Sequence, residues 1–139
     1  MVDVHMSANR VVPGATFAPR VGYVTVASRA VVGRSDGNGR ERVALRLYQG
    51  LLHEVGASAI EGDGMVPVRS ALLDGARHIV LEDVVHGQAA GLPWYGTDLG
   101  LAGWWPQALD EWRAALRARA SSDTPAGASA GDGWGQPRS

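Results

Sequence analysis

Apolar and polar positions along this chain switch between two periods. Residues 20–32 hold a nearly unbroken apolar run, with Tyr23-Val24-Thr25-Val26 at its centre and Val31-Val32 at its end. This β-branched and aromatic content predicts a strand. The following stretch, Gly33-Arg34-Ser35-Asp36-Gly37-Asn38-Gly39, is a loop by composition. Over residues 41–55 the spacing becomes helical. Ala44, Tyr48, Leu51, Leu52 and Val55 fall at i, i+4, i+7, i+8 and i+11 and form one stripe. Gly50 weakens that helix by about 1 kcal/mol relative to alanine, and Gly56 offers a stop.

The second half continues the alternation. Residues 57–61 form a short strand leading into Gly62-Asp63-Gly64. Residues 67–74 predict a short helix, with Pro67 at its first position, Val68, Ala71 and Leu72 facing inward, and Gly75 just past its end. Residues 78–85 carry Ile79-Val80-Leu81 and Val84-Val85, a near-continuous apolar run suited to a strand covered on both faces. A loop with Gly87, Gly91, Pro93 and Gly96 follows His86 and bears Trp94 and Tyr95. Thr97 or Asp98 caps a helix through Trp105, and Pro106 restarts a helix to about residue 118. Trp105, Leu109, Trp112 and Leu116 repeat the helical spacing and are expected to pack. The order strand, helix, strand, helix, strand, helix predicts an α/β fold with about three parallel strands and flanking helices.

Composition trims the picture at both ends. Residues 1–20 read as an irregular lead-in, residues 21–118 as the folded part, and residues 119–139 as a low-complexity tail. Ser, Ala, Gly, Pro and Asp dominate that tail, which cannot bury enough apolar surface to offset its ordering entropy. With 139 residues and 45% apolar content, one domain with a modest core is expected. The net charge of −1 offers no basic field for nucleic acid. The 13 basic residues are all arginine, which fits a compositional bias toward Gly, Ala and Val. No cysteine is present, which excludes disulfides, thiolate zinc sites and cysteine nucleophiles. No transmembrane stretch and no signal-peptide pattern are visible, so a cytoplasmic location is expected.

The candidate chemistry lies at two strand ends. Asp63 sits in a glycine turn after one strand, and His86 follows the next strand 23 positions later. Sites in open α/β sheets form at the carboxyl ends of strands. A carboxylate there can accept the imidazole Nδ1–H and leave Nε2 to act as a base. Each residue also has a plainer reading, as a surface turn and as a backbone-bonded histidine. Asp83 is a competing acid inside the strand run, and His78 reads as a strand-start residue. His5 and His53 read as surface groups, and Trp94 and Tyr95 as a pocket mouth or a cover for the sheet edge. A metal site from Asp63, His78 and His86 matches no ligand spacing, and Gly33 to Gly39 lacks the Lys-Ser/Thr of a phosphate-binding loop. No cofactor is implied.

Asp63-Gly64-Met65-Val66-Pro67 resembles the D-x-x-V-P segment of α/β-hydrolase esterases and lipases. Ser70-Ala71-Leu72-Leu73, Gly75-Ala76-Arg77-His78 and Val84-Val85-His86-Gly87 are similar to the helix, last strand and histidine loop that follow it in bacterial lipase-type members. Trp94-Tyr95-Gly96 and Trp104-Trp105 are similar to their C-terminal ends, so the likeness spans residues 23–116. The resemblance implies a partial α/β-hydrolase fold, with Asp63 as triad acid and His86 as general base, acting on an acyl ester or lipid. In that family a serine in a G-x-S-x-G elbow precedes the acid. Ser7, Ser28, Ser35 and Ser58 lack the flanking glycines, and no oxyanion loop is present. Gly127-Ala128-Ser129-Ala130-Gly131 matches the pattern but follows the histidine, with no strand before it or helix after it. The expectation is therefore a C-terminal segment of a serine hydrolase, inactive alone. The alternative is a non-catalytic remnant that self-associates through an exposed sheet edge.

Overall fold

The computed structural model describes residues 21–88 and 91–122. The expected first strand is two. β1 (Val24–Ser28) and β2 (Val31–Arg34) are separated by a turn at Arg29-Ala30, so β2 also takes in the first two residues of the expected loop. The apolar run conceals this break because the turn is made by the backbone. Ala30 N–H donates to the Ser28 hydroxyl, while Arg29 N–H donates to the Leu81 carbonyl and extends the β1 ladder.

The first helix, α1 (Gly39–Leu52), begins two residues before the periodicity predicted. Asn38 explains the start. Its side chain accepts from Glu41 N–H, and the Glu41 carboxylate accepts from Asn38 N–H, a reciprocal capping box. The helix stops at Leu52 because His53 adopts a left-handed conformation, φ 54°. Gly56 is not the stop, and Val55 is 98% exposed rather than part of the apolar stripe. Ala44, Leu45, Tyr48 and Leu52 are the buried face. That face lies on β2, close enough that a Cβ at Gly33 would sit 2.6 Å from Leu45 N.

The short strand β3 (Ala59–Gly62) pairs antiparallel with β2, Val31 opposite Gly62 and Arg34 opposite Ala59. A single helical turn, α2 (Val68–Ala71), follows Pro67, which is its N-cap. The chain is extended again by Leu72, so residues 72–74 are not helical. β4 (Arg77–Leu81) pairs parallel with β1, Val24 opposite Arg77 and Ser28 opposite Leu81. Among the described residues β1 and β4 are the parallel strand pair, and the fold is mixed α/β with a small parallel sheet, an antiparallel pair and helices.

The apolar run at residues 78–85 is only half strand. Glu82 and Asp83 bend away exposed, and Val84 and Val85 return to the interior. Val85 then bridges Trp94 in parallel, and its N–H donates to the Pro93 carbonyl. Val31, Ala44, Tyr48 and Val85 form the core, with Ala30, Ile60 and Trp94 packed against it.

The last helix, α3 (Asp98–Ser122), runs through Pro106 without the expected restart. Of the two candidate caps, Thr97 acts: its hydroxyl accepts from Gly100 N–H. The helix reaches four residues into the segment expected to be disordered; the rest of that tail and the lead-in lie outside the described residues. It packs on β4 and β1, through faces such as Gly103 against Leu81 and the Glu111–Ala115 edge against Gly22. The Trp105, Leu109, Trp112 and Leu116 stripe does not pack as expected. Trp105, Trp112 and Leu116 are 50%, 57% and 40% exposed. Among the described residues, no helix is long and apolar enough to cross a membrane.

Candidate active site

β3 delivers Asp63 into a turn that its own side chain closes. Asp63 Oδ1 accepts from Met65 N–H at 3.0 Å and from Val66 N–H at 2.8 Å. Asp63 N–H donates to the Val66 carbonyl, and Gly62 bridges Pro67. The glycines on either side serve separate needs. Gly62 lies against the Tyr48 ring, where a Cβ would be 2.5 Å from Cζ. Gly64 has φ 103°, a conformation that side-chain-bearing residues rarely adopt. Its N–H donates to the Tyr48 hydroxyl at 2.6 Å, and that hydroxyl donates onward to the Val31 carbonyl at 3.3 Å. The acid turn is therefore tied to both α1 and β2.

His86 comes to this turn from β4. Its backbone N–H donates to the Asp63 carbonyl at 3.0 Å. Its Nδ1 lies 3.1 Å from Asp63 Oδ2. A carboxylate offers only acceptors, so the proton sits on Nδ1 and Nε2 carries the lone pair. Asp63 is buried at 4% exposure, while the His86 side chain is 45% exposed. A cleft of about 240 Å³ opens beside the ring, lined also by Arg40, Gly64, Met65 and Gln88. Asp63 and His86 are in contact, with the carboxylate inside and the imidazole at the rim.

Tyr95, read from the sequence as a pocket mouth or a cover for the sheet edge, is a further partner of Asp63. Its hydroxyl donates to Asp63 Oδ2 at 3.0 Å, so the loop after His86 holds the acid rather than only covering the sheet. Trp104 Nε1 donates to the Tyr95 carbonyl at 3.0 Å, and the Thr97 hydroxyl donates to the Trp94 carbonyl at 2.7 Å. The start of α3 thus fixes the tyrosine. No spacing rule points to it. The available signal was that a buried carboxylate requires donors on both oxygens.

The remaining candidates lie apart. Asp83 is exposed, and His78 Nε2 meets the Leu73 carbonyl at 2.8 Å. Among the described residues no group of three acidic or histidine side chains can hold a metal. Ser28 is buried, with its hydroxyl accepting from Ala30 N–H. Ser35 and Ser58 meet at the far end of the β2–β3 ladder from Asp63. Ser7, Ser129 and His5 lie outside the described residues.

Buried Tyr48 and half-buried Tyr95 both hold their protons tightly. Burial pushes Tyr48 up to about 12, with the Asp63 charge adding to it and the Gly64 N–H and Arg40 opposing. Burial also raises Tyr95 well above its ordinary value, helped by the Asp63 charge and hydrogen bond. An unfolded tyrosine ionises near pH 10, so alkali favours the unfolded chain. Their contribution is complete below pH 10; that of Tyr48 is lost as pH rises from 10 through 12, and that of Tyr95 falls away further into alkali. Tyr48 alone accounts for about 2–3 kcal/mol across that window. Urea midpoints measured between pH 8 and 12 are expected to fall steeply above pH 10 in the parent and less in Tyr95→Phe. A flat profile would show that neither hydroxyl is held.

No protein-family model, curated protein or solved structure matches this chain.

Proposed function

We propose that this chain is the C-terminal segment of a serine ester hydrolase, esterase- or lipase-like, and that it supplies acid and base to a nucleophile on another segment. The observation carrying this reading is the 3.1 Å contact between Asp63 Oδ2 and His86 Nδ1, with the acid buried and the base open on a cleft. The D-x-x-V-P likeness around Asp63 supports the same assignment.

In the proposed cycle, His86 Nε2 takes the proton of the incoming serine hydroxyl as its oxygen attacks the acyl carbon. Asp63 stabilises the resulting imidazolium and keeps the ring oriented. Nε2 then gives the proton to the departing alcohol, which leaves an acyl-serine. Water attacks that ester with His86 again as base, releasing the carboxylic acid and restoring the serine. The oxyanion donors, like the serine, belong to the other segment in this reading. The substrate is a carboxylic ester of a small molecule or lipid, and the isolated chain turns over none.

A second reading, a non-catalytic fragment that self-associates or binds a partner, is favoured by the exposed Trp105, Trp112 and Leu116 on α3. The two-stranded sheets add to it, since among the described residues each strand has one ladder partner.

Co-expression with a hydrolase N-terminal segment bearing a G-x-S-x-G elbow separates the two. A fluorophosphonate is expected to label the elbow serine in the complex and to leave the isolated chain unlabelled. Stoichiometric labelling of the isolated chain at Ser129 would make the tail motif the nucleophile. A stable homodimer that neither joins the elbow segment nor gains labelling would support the second reading.

A further inference from the structure

The cleft beside His86 contains one cation that the dyad does not use. Arg40 is the second residue of α1 and lines the same cleft as His86, Met65, Val85 and Gln88. Two acids beside it, Glu41 in the chain and Asp63 in the cleft, are already engaged. Glu41 accepts from Asn38 N–H within the capping box. Asp63 has Met65 N–H and Val66 N–H on one oxygen and His86 and Tyr95 on the other. Arg42, two residues on, donates to the Gly37 carbonyl instead. Among the described residues, no carboxylate forms an ion pair with Arg40. Its charge nevertheless reaches inward, since it acts on the buried Tyr48 hydroxyl.

We propose that Arg40 makes this cleft a binding site for the carboxylate or phosphate group of a small anionic ester. A guanidinium presents paired N–H donors in a planar fork that matches both groups. Met65 and Val85 supply an apolar wall for the alkyl or acyl arm, and Gln88 adds an amide. At about 240 Å³ the cleft is smaller than the roughly 300–1,000 Å³ of pockets that enclose whole drug-sized ligands. It therefore fits the head of a ligand and leaves the rest outside. The assignment of this ligand as substrate rests on the hydrolase reading; the anion site itself does not.

The test uses the full chain, n-butyl phosphate as probe and n-butanol as the neutral control, followed by amide chemical shifts. Butyl phosphate is expected to shift Gly64, His86, Gly87 and Gln88 with a millimolar dissociation constant, and butanol to leave them unmoved. Arg40→Gln is expected to weaken binding at least about tenfold, and Arg69→Gln, which does not line the cleft and pairs with Glu54, to change nothing. Added sodium chloride should weaken binding to the parent chain through screening of an exposed charge. Equal binding by Arg40→Gln, equal shifts with butanol, or affinity indifferent to salt would each overturn the proposal. Ester turnover that depends on His86 without any butyl phosphate binding would remove the anion site and keep the hydrolase reading. Butyl phosphate binding in a reconstituted complex without such turnover would do the reverse.

Discussion

Asp63→Ala is expected to remove most of the stability of the folded state at 25 °C. The carboxylate accepts from Met65 N–H, Val66 N–H, the Tyr95 hydroxyl and His86 Nδ1. Alanine removes every one of these acceptors and supplies none. The two amides can find water only if the turn opens, and opening it releases Gly64 from Tyr48 in the core. The Tyr95 hydroxyl loses its acceptor. Losing one side of a buried charged network amounts to about 3–5 kcal/mol. Natural domains have only about 5–15 kcal/mol in total, and small ones sit at the low end. Asp63→Asn keeps the shape and one acceptor oxygen, and Tyr95 can rotate its hydroxyl to accept, so its effect is smaller, about 1–2 kcal/mol. Far-ultraviolet circular dichroism with urea titration distinguishes the two variants. An Asp63→Ala chain that melts within a few degrees of the parent would show that the acid does not organise the turn.

What was legible in the sequence divides along physical lines. Helical periodicity found α1 and α3 because an amphipathic face repeats over many residues and survives local irregularity. It found the start of α3 but missed both ends of α1, which depend on single groups: the Asn38–Glu41 box at the start and the left-handed His53 at the stop. Pro106 reads as a break, yet the helix continues past it. The apolar runs at residues 20–32 and 78–85 reported burial correctly but not direction. Val31 and Val85 are both buried, one in a strand that pairs antiparallel and the other after a bend. Burial is a property of a residue, whereas strand partnership depends on chain segments far away.

The candidate site shows the same division. Asp63 and His86 were visible because a polar residue beside a glycine turn or after an apolar strand stands out locally. Tyr95 was not, because its role is defined by an acid 32 positions away. Tyr48 looked like one more apolar position on α1, and only the structure reveals its hydroxyl between Gly64 and Val31. Arg40 looked like one arginine among 13, and its place beside His86 arises from where α1 begins. The α3 stripe failed in the opposite sense. Its spacing is that of a packed face, but Trp105 and Trp112 are left 50% and 57% exposed.

His86→Ala is expected to separate chemistry from folding in a way that Asp63→Ala cannot. The His86 side chain is 45% exposed, and the backbone hydrogen bond to the Asp63 carbonyl survives any substitution. The variant loses one rim hydrogen bond, about 1 kcal/mol, and should melt close to the parent. In the complex with a serine-bearing segment, ester turnover should fall roughly 10³–10⁶-fold, because the serine loses its base and the leaving alcohol its acid. The loss should appear in kcat and in kcat/KM together, since proton transfer occurs only in the transition state. His86→Gln keeps a polar side chain but cannot shuttle a proton, so it should be equally inactive. Steady-state hydrolysis of short acyl esters measures all three proteins. Turnover retained by His86→Ala would remove His86 from the site. Turnover lost together with the fold would recast the Asp63–His86 contact as a structural clamp, leaving the base of any reaction to be sought on the other segment.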